Sequence, residues 1–285
     1  RFFDEAAHFM HLLILGCGDI GTRVGSSMAA LGWTVSAARR NASSLPEQFD
    51  RYQVDLTDPV SMAALSMRDP DYVLVTPTPQ SYDPKGYHRG FTEAAELLAA
   101  QSWLLACRRV IWVSSTRVYR EAEGGWVDEH SPLNVSEPQA RAMVAAEAAI
   151  RRARTTTVIR PAGVYGDPQG MLIRRVLSGQ GGAPGSSFGN RIHREDLARL
   201  ITHCLQLDEQ GEAVPPTLLA ADEDTTPTYE VERWLAQKLG VNLSETPQQA
   251  ISRANRQCRS ALLKEIGFTL TYPSWREGYA ASINA

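Results

Sequence analysis

The tightest constraint on this 285-residue chain is a turn of three glycines, Gly16-Cys17-Gly18-Asp19-Ile20-Gly21, set between an apolar run and a stretch of helical character at 22–31. In this spacing the first glycine permits a tight turn and the second lets backbone approach a phosphate without a side chain in the way. The third lets a helix pack close against a strand. A helix that begins here also aims its unpaired N–H groups and positive dipole end at the same point. Gly16, Cys17, Gly18, Asp19, Ile20 and Gly21 are therefore expected to hold the pyrophosphate of a dinucleotide; the alternative is a glycine turn that binds nothing.

The surrounding pattern supplies the context such a turn needs. Mostly apolar runs at 11–16, 34–40, 52–56, 72–77, 110–115 and 157–161 predict strands, and helices are predicted at 22–31, 90–101, 137–152 and 195–207, with another strand at 217–221. Strands that are apolar throughout belong in a parallel sheet covered on both faces. The expected fold class is α/β, a doubly wound parallel sheet (Rossmann fold) with a small C-terminal substrate lobe. Residues 10–165 and 188–222 are expected to form the dinucleotide-binding domain and 166–187 with 223–285 the lobe. Residues 1–9 read as an N-terminal extension or a remnant foreign to the fold. The glycine-rich stretch 178–187 predicts a flexible loop.

An acidic residue at the end of the second strand would hold a ribose 2′-OH and select NAD. Here that strand ends Ala37-Ala38-Arg39-Arg40, and two guanidinium groups suit a 2′-phosphate. The expected cofactor is NADP, with NAD as the alternative; solvated surface charge is the other reading of Arg39 and Arg40. A net charge of −3 lacks the basic excess of a nucleic-acid binder. No apolar run is long enough to span a membrane, and Asp4 and Glu5 spoil the basic start of an export signal. Cys17, Cys107, Cys204 and Cys258 are scattered without metal or redox spacing, so no metal site is expected and reduced thiols in a cytoplasmic protein fit best. The expected partner is a small-molecule substrate, with neither nucleic acid nor membrane; a homodimer is compatible with the chain.

Five segments carry a resemblance. They are Asp55-Leu56, Val113-Ser114-Ser115-Thr116-Arg117-Val118-Tyr119, Arg160-Pro161-Ala162-Gly163-Val164-Tyr165-Gly166, Ile192-His193-Arg194-Glu195-Asp196-Leu197-Ala198, and Gly267-Phe268 with Trp275-Arg276-Glu277-Gly278. In this order they resemble the extended short-chain dehydrogenase/reductases, the NAD-dependent epimerase/dehydratase family, over nearly the whole chain. The resemblance implies that Asp55 and Leu56 contact the adenine and that Thr76, Pro77, Pro161 and Val164 help bind the cofactor. It implies that Ser115, with Thr116 beside it, hydrogen-bonds the reacting oxygen. It also implies hydride transfer in which a tyrosine carries the proton and a lysine one helical turn later tunes that tyrosine.

That pair is missing. Alignment on Glu147 puts Gln139 at the tyrosine position and Met143 at the lysine position, and no tyrosine lies between Tyr119 and Tyr165. An amide exchanges no proton near neutral pH and a thioether carries no charge. Leu15 also stands where the family usually has glycine. Tyr119 and Tyr165, just after strand ends, are the candidate substitutes, with packed aromatics as the alternative for both. Ser115, Thr116 and Tyr119 are the expected catalytic residues. The expected function is an NAD(P)-binding oxidoreductase or epimerase-like enzyme acting on a sugar nucleotide or another hydroxyl or carbonyl substrate. The alternative is a non-catalytic NADP(H)-binding regulatory or redox-sensing protein.

Other patterns fail on context. Gly185-Ser186-Ser187-Phe188-Gly189 has the letters of a hydrolase nucleophile elbow without its strand and helix. His193 with Glu195 and Asp196, or His203 with Cys204, does not complete a metal set. Cys17, beside a helix N-terminus, reads as either a thiol of lowered pKa or a small turn residue.

Overall fold

The computed structural model describes residues 8–65, 67–185, 187–245 and 254–285. In chain order its strands are β1 (His11–Leu15), β2 (Thr34–Arg39), β3 (Asp50–Gln53), β4 (Tyr72–Val75), β5 (Arg109–Val113), β6 (Glu123–Val127), β7 (Thr156–Pro161), β8 (Gly163–Tyr165), β9 (Arg191–His193), β10 (Thr217–Ala220) and β11 (Asn255–Cys258). The helices are α1 (Asp19–Ala30), α2 (Pro59–Ala63), α3 (Pro84–Tyr87), α4 (Ala94–Ala99), α5 (Pro138–Ala153), α6 (Met171–Leu177), α7 (Arg194–Glu209), α8 (Thr228–Leu239) and α9 (Trp275–Ile283). Seven strands form one parallel sheet in the order β10-β7-β5-β4-β1-β2-β3. Strand order reverses between β1 and β4, the kind of point at which open α/β sheets bind ligands beyond their strand C-termini.

The chain divides into two compact units. The first holds the described residues through Ser114 with Val135–Ile159 and Ala198–Pro216; the second holds Ser115–Asn134, Arg160–Leu197 and the described residues from Thr217 onward. In the first unit β1 is wholly buried between β2 and β4, with Leu12 opposite Val35 on one side and Tyr72 on the other. Its sequence, apolar from Leu12 to Leu15, follows from that position, since helices cover both faces.

Two expectations need correction here. The third strand spans Asp50–Gln53 rather than 52–56, in register with β2 from Ser36 opposite Asp50 to Arg39 opposite Gln53. It is an edge strand and largely exposed, so hydrophobicity marked its place poorly. The single helix expected at 90–101 is instead a π-helical turn, His88–Glu93, running into α4.

In the second unit β6 pairs with β11 and β8 with β9, and α6, α8 and α9 enclose Val176, Val231, Leu235 and Trp275. The loop expected to be flexible is tethered at Gly182, whose amide donates to Glu232 (2.7 Å) and whose carbonyl accepts from Arg233 (2.8 Å). Its Ser186, like residues 1–7 of the expected N-terminal extension, lies outside the described residues. Among the described residues no helix is long and apolar enough to cross a membrane.

Candidate cofactor and active site

β1 delivers the chain to Gly16, whose φ of 76° is left-handed. A Cβ there would stand 2.7 Å from the Thr76 carbonyl oxygen, so a side chain is excluded twice over. Thr76, just past β4, donates its hydroxyl to the Gly16 carbonyl (2.7 Å), and the amides of Gly16 and Cys17 donate to the Ala38 carbonyl (2.9 and 3.1 Å). The turn is therefore fastened to both neighbouring strands. At Gly21 a Cβ would lie 2.9 Å from Ile14 Cγ2, so glycine lets α1 settle on β1.

Gly18 is the opposite case, because a Cβ there would meet nothing within 4 Å. The first intrahelical bond of α1 runs from Thr22 N to Gly18 O (2.9 Å). The amides of Ile20 and Gly21 precede that bond, at the start of the helix. Open space above backbone N–H groups at a helix start fits an anionic pyrophosphate. The Asp19 carboxylate pairs with Arg23 one turn on (3.1 Å), which offsets its charge.

Arg39 closes β2 half-buried, and Arg40 follows it exposed. Beyond β3, Asp55 Oδ1 accepts from Thr57 N (2.9 Å) and Thr57 Oγ1 (2.8 Å). Burial works to raise the Asp55 pKa, but the Thr57 bonds and the charges of Arg40 and Arg89 outweigh it and hold the carboxyl below its usual range. The Leu56 side chain comes to 3.5 Å from the Cβ position of Gly16. Arg89 was not legible as part of this neighbourhood, because it lies 34 positions after Asp55 in sequence on the π turn.

Cys17 is wholly buried. Burial raises its thiol pKa, against the smaller opposing effects of Thr22 and Arg39, which removes the reactive-thiol reading. The other three cysteines are also free and buried, each pushed up to about 12 by burial. Burial thus favours the neutral form of all four thiols, and a neutral thiol is a poor nucleophile.

The expected cofactor residues Gly16 to Gly21, Arg39, Arg40, Asp55, Leu56, Thr76 and Pro77 all belong to the first unit, whereas Pro161 and Val164 belong to the second with Ser115, Thr116 and Tyr119. Ser115 Oγ accepts from Arg117 N (3.1 Å) and so starts a short turn at Thr116–Val118. Its own proton stays available for donation. The Thr116 carbonyl accepts from Arg256 (2.5 Å).

Tyr119, expected as a proton carrier, is instead fully buried. Its hydroxyl accepts from Arg160 (3.4 Å), whose guanidinium also lies 5.2 Å from the ring centroid, and burial pushes its pKa up to about 12. A phenol so placed is a packing residue. Tyr165 fares no better. It stacks on Tyr279 (4.7 Å) with its edge toward His193 (5.2 Å), and burial raises its pKa further.

Met143 is buried, so the lysine position faces the interior of the first unit. Gln139 donates to the Tyr82 carbonyl (3.4 Å). His193 accepts from Glu195 N (3.2 Å), and Asp196 takes the amides of Thr271 and Tyr272 (both 2.8 Å). These are structural bonds, and the described residues contain no cluster able to hold a metal.

A glycine cradle at the switch point of a parallel sheet defines a dinucleotide-binding protein, and sequence comparison agrees. The chain belongs to the NAD(P)H-binding family, whose model matches residues 16–208. It is similar to a provisionally named NAD-dependent epimerase/dehydratase from Methylobacillus flagellatus, with 26% identity, a TM-score of 0.80, and coverage of 97% of this chain and 98% of that one. It is also similar to WbmG from Bordetella bronchiseptica in complex with NAD (13% identity, TM-score 0.80, covering 99% and 95%). A third similar structure is MoeE5 in complex with UDP-glucuronic acid and NAD (20%, 0.79, 96% and 98%). The last two likenesses are of fold. No protein of curated function matches the sequence. The family model and these neighbours are consistent with an extended short-chain dehydrogenase/reductase, and the chain lacks the Tyr-x-x-x-Lys pair.

Proposed function

We propose that this chain is a cytoplasmic NADP(H)-dependent oxidoreductase or epimerase-like enzyme, acting on a hydroxyl or carbonyl group of a small molecule taken up by the second unit. The observation that carries the reading is the open space over Gly18 at the N-terminus of α1. Bound there, the cofactor would supply or accept a hydride. The protein's own part is to grip the pyrophosphate through Gly18 to Gly21, to hold a 2′-phosphate between Arg39 and Arg40, and to donate a hydrogen bond from Ser115 to the reacting oxygen. Two adjacent guanidinium groups at the end of β2 favour NADP(H), since each can form charge-assisted bonds to phosphate.

Calorimetry on cofactor-stripped protein tests this directly. NADPH is expected to bind more tightly than NADH, and the double variant Arg39→Ala/Arg40→Ala should lose that preference by roughly tenfold or more. Absence of binding by either nucleotide at millimolar concentration would sink the reading.

The burial of Met143 and Tyr119 favours a second reading, a non-catalytic NADP(H)-binding regulator. Robust hydride transfer to any member of a panel of carbonyl compounds defeats it.

A further inference from the structure

Ser115 can serve a reacting oxygen only if the turn that follows it is held still. Its Oγ accepts from Arg117 N (3.1 Å), which fixes the hydroxyl to the backbone two residues on. The turn Thr116–Val118 closes with Tyr119 N donating to the Thr116 carbonyl (3.2 Å). One short turn of this kind has little stability of its own, so its position must be set from outside.

That hold comes from β11, whose two buried positions are Arg256 and Cys258. Arg256 donates to the Thr116 carbonyl (2.5 Å) and, from Nε, to the Glu121 carbonyl (2.9 Å), so one planar guanidinium bridges both ends of the segment 116–121. The Cys258 thiol hydrogen-bonds the Thr116 side chain. The strand is itself anchored. It pairs with β6, Gln257 opposite Trp126 and Cys258 opposite Val127, and the register shifts between Asn255 and Gln257, at Arg256. Such bulges re-aim side chains and are common beside active sites. Asn190 then brackets Arg256, donating to its carbonyl (2.9 Å) and accepting from Cys258 N (2.7 Å). Neither acceptor of the guanidinium is a carboxylate, so its charge goes into stiffening two bonds to backbone. All these residues belong to the second unit with Ser115.

We propose that Arg256 is a positioning residue for Ser115: by holding the Thr116 carbonyl against β11 it fixes the turn from which the Ser115 hydroxyl donates to the substrate oxygen. This rests on the oxidoreductase reading above. Arg256 acts through the backbone of residues 115–117 and not by contact with the substrate. A hydrogen bond to an oxygen on which charge develops depends steeply on placement, and a shift of about 1 Å costs on the order of a hundredfold in rate.

The test is a double-mutant cycle on the full chain, with NADPH and the panel of carbonyl compounds as substrates. Ser115→Ala is expected to lower kcat about a hundredfold. Arg256→Met should lower it about tenfold or more, while KM and the calorimetric Kd for NADPH move less than about threefold. Added to Ser115→Ala, it should cost less than about twofold more, because its effect runs through the hydroxyl already removed. Amide exchange at Arg117 should quicken about tenfold or more in Arg256→Met, with Leu219 keeping its protection. If that variant does not fold, Arg256→Lys carries the same cycle: a point donor in place of a fork should lose about threefold or more in kcat, again with no further loss beside Ser115→Ala. Losses that multiply in the double variant, or an unchanged Arg117 amide, overturn the proposal and leave the oxidoreductase reading standing. Wild-type protein that reduces no member of the panel takes both down together.

Discussion

The two units bury different kinds of residue. In the first, the interior is Leu12, Ile14, Val73, Leu74, Ile111 and their like, with Glu147 as its buried carboxylate. In the second, Glu129, Asp196, Asp222, Glu232, Arg191 and Arg256 are all buried. The difference follows from where backbone hydrogen bonds go. A parallel sheet satisfies its own N–H and C=O groups, whereas short strands joined by long connections need side chains for that purpose. Glu129 accepts from Leu219 N (3.1 Å), Ala261 N (2.9 Å) and Ser260 Oγ (2.6 Å), and Arg256 donates to the carbonyls of Glu121 (2.9 Å) and Thr116 (2.5 Å). Charged side chains act there as struts between loops.

The sharpest way to break this contrast is to remove a strut. Glu129→Ala strands three donors at once and should cost about 3–5 kcal/mol, read by urea unfolding, with amide exchange accelerating first at Leu219 and Ala261. A loss below about 1 kcal/mol would show that the carboxylate is not what holds those loops.

The glycine turn offers a comparison inside the first unit. Gly16→Ala forces a side chain into a left-handed position against Thr76 and should cost about 1–3 kcal/mol of stability. Gly18→Ala, whose Cβ meets nothing, should leave the melting temperature almost unchanged yet weaken NADP(H) binding about tenfold or more. Equal behaviour of the two variants would remove the distinction between a glycine needed for folding and one needed for a ligand.

Smaller effects come from pH, and they run in opposite directions in the two units. Burial pushes Asp222 up to about 7 from its ordinary 3.8, against the Asp224 amide bond and the Arg191 charge. The folded state therefore keeps a proton that the unfolded chain releases. This contribution is complete below about pH 4 and is lost as pH rises through 7. Asp222→Asn keeps an acceptor for Asp224 N and should add roughly 1–2 kcal/mol at pH 8, with little change at pH 4 in chemical denaturation.

His11 is the mirror case. Burial, reinforced by the Arg68 charge, lowers its pKa below 6.5. Its share of stability is present above pH 6.5 and is lost as pH falls from there, when the unfolded chain binds the extra proton. The loss should be absent in His11→Gln and is the smallest of these effects.

Most of the first unit was legible in the sequence, because strands covered on both faces must be apolar and a phosphate-binding turn must be glycine at set positions. Its edge strand β3 was misplaced for the same reason, since exposure removes the apolar signal. The π turn was hidden because an extra residue per turn leaves little trace in composition. The second unit was much less legible. Its carboxylates and guanidiniums look in sequence like surface charge, and only their partners, 75 residues away from Asp196 to Thr271, reveal them as interior.

Sequence by itself determined the cradle, the parallel sheet behind it and the loss of the tyrosine and lysine, because each depends on residue type at short spacing. Tertiary structure alone decided that Tyr119 and Cys17 are sealed from solvent, that Arg89 joins Arg40 near Asp55, and that the Tyr82 turn rests against Gln139. Burial and long-range proximity depend on how distant segments pack, and nothing local in the chain encodes them.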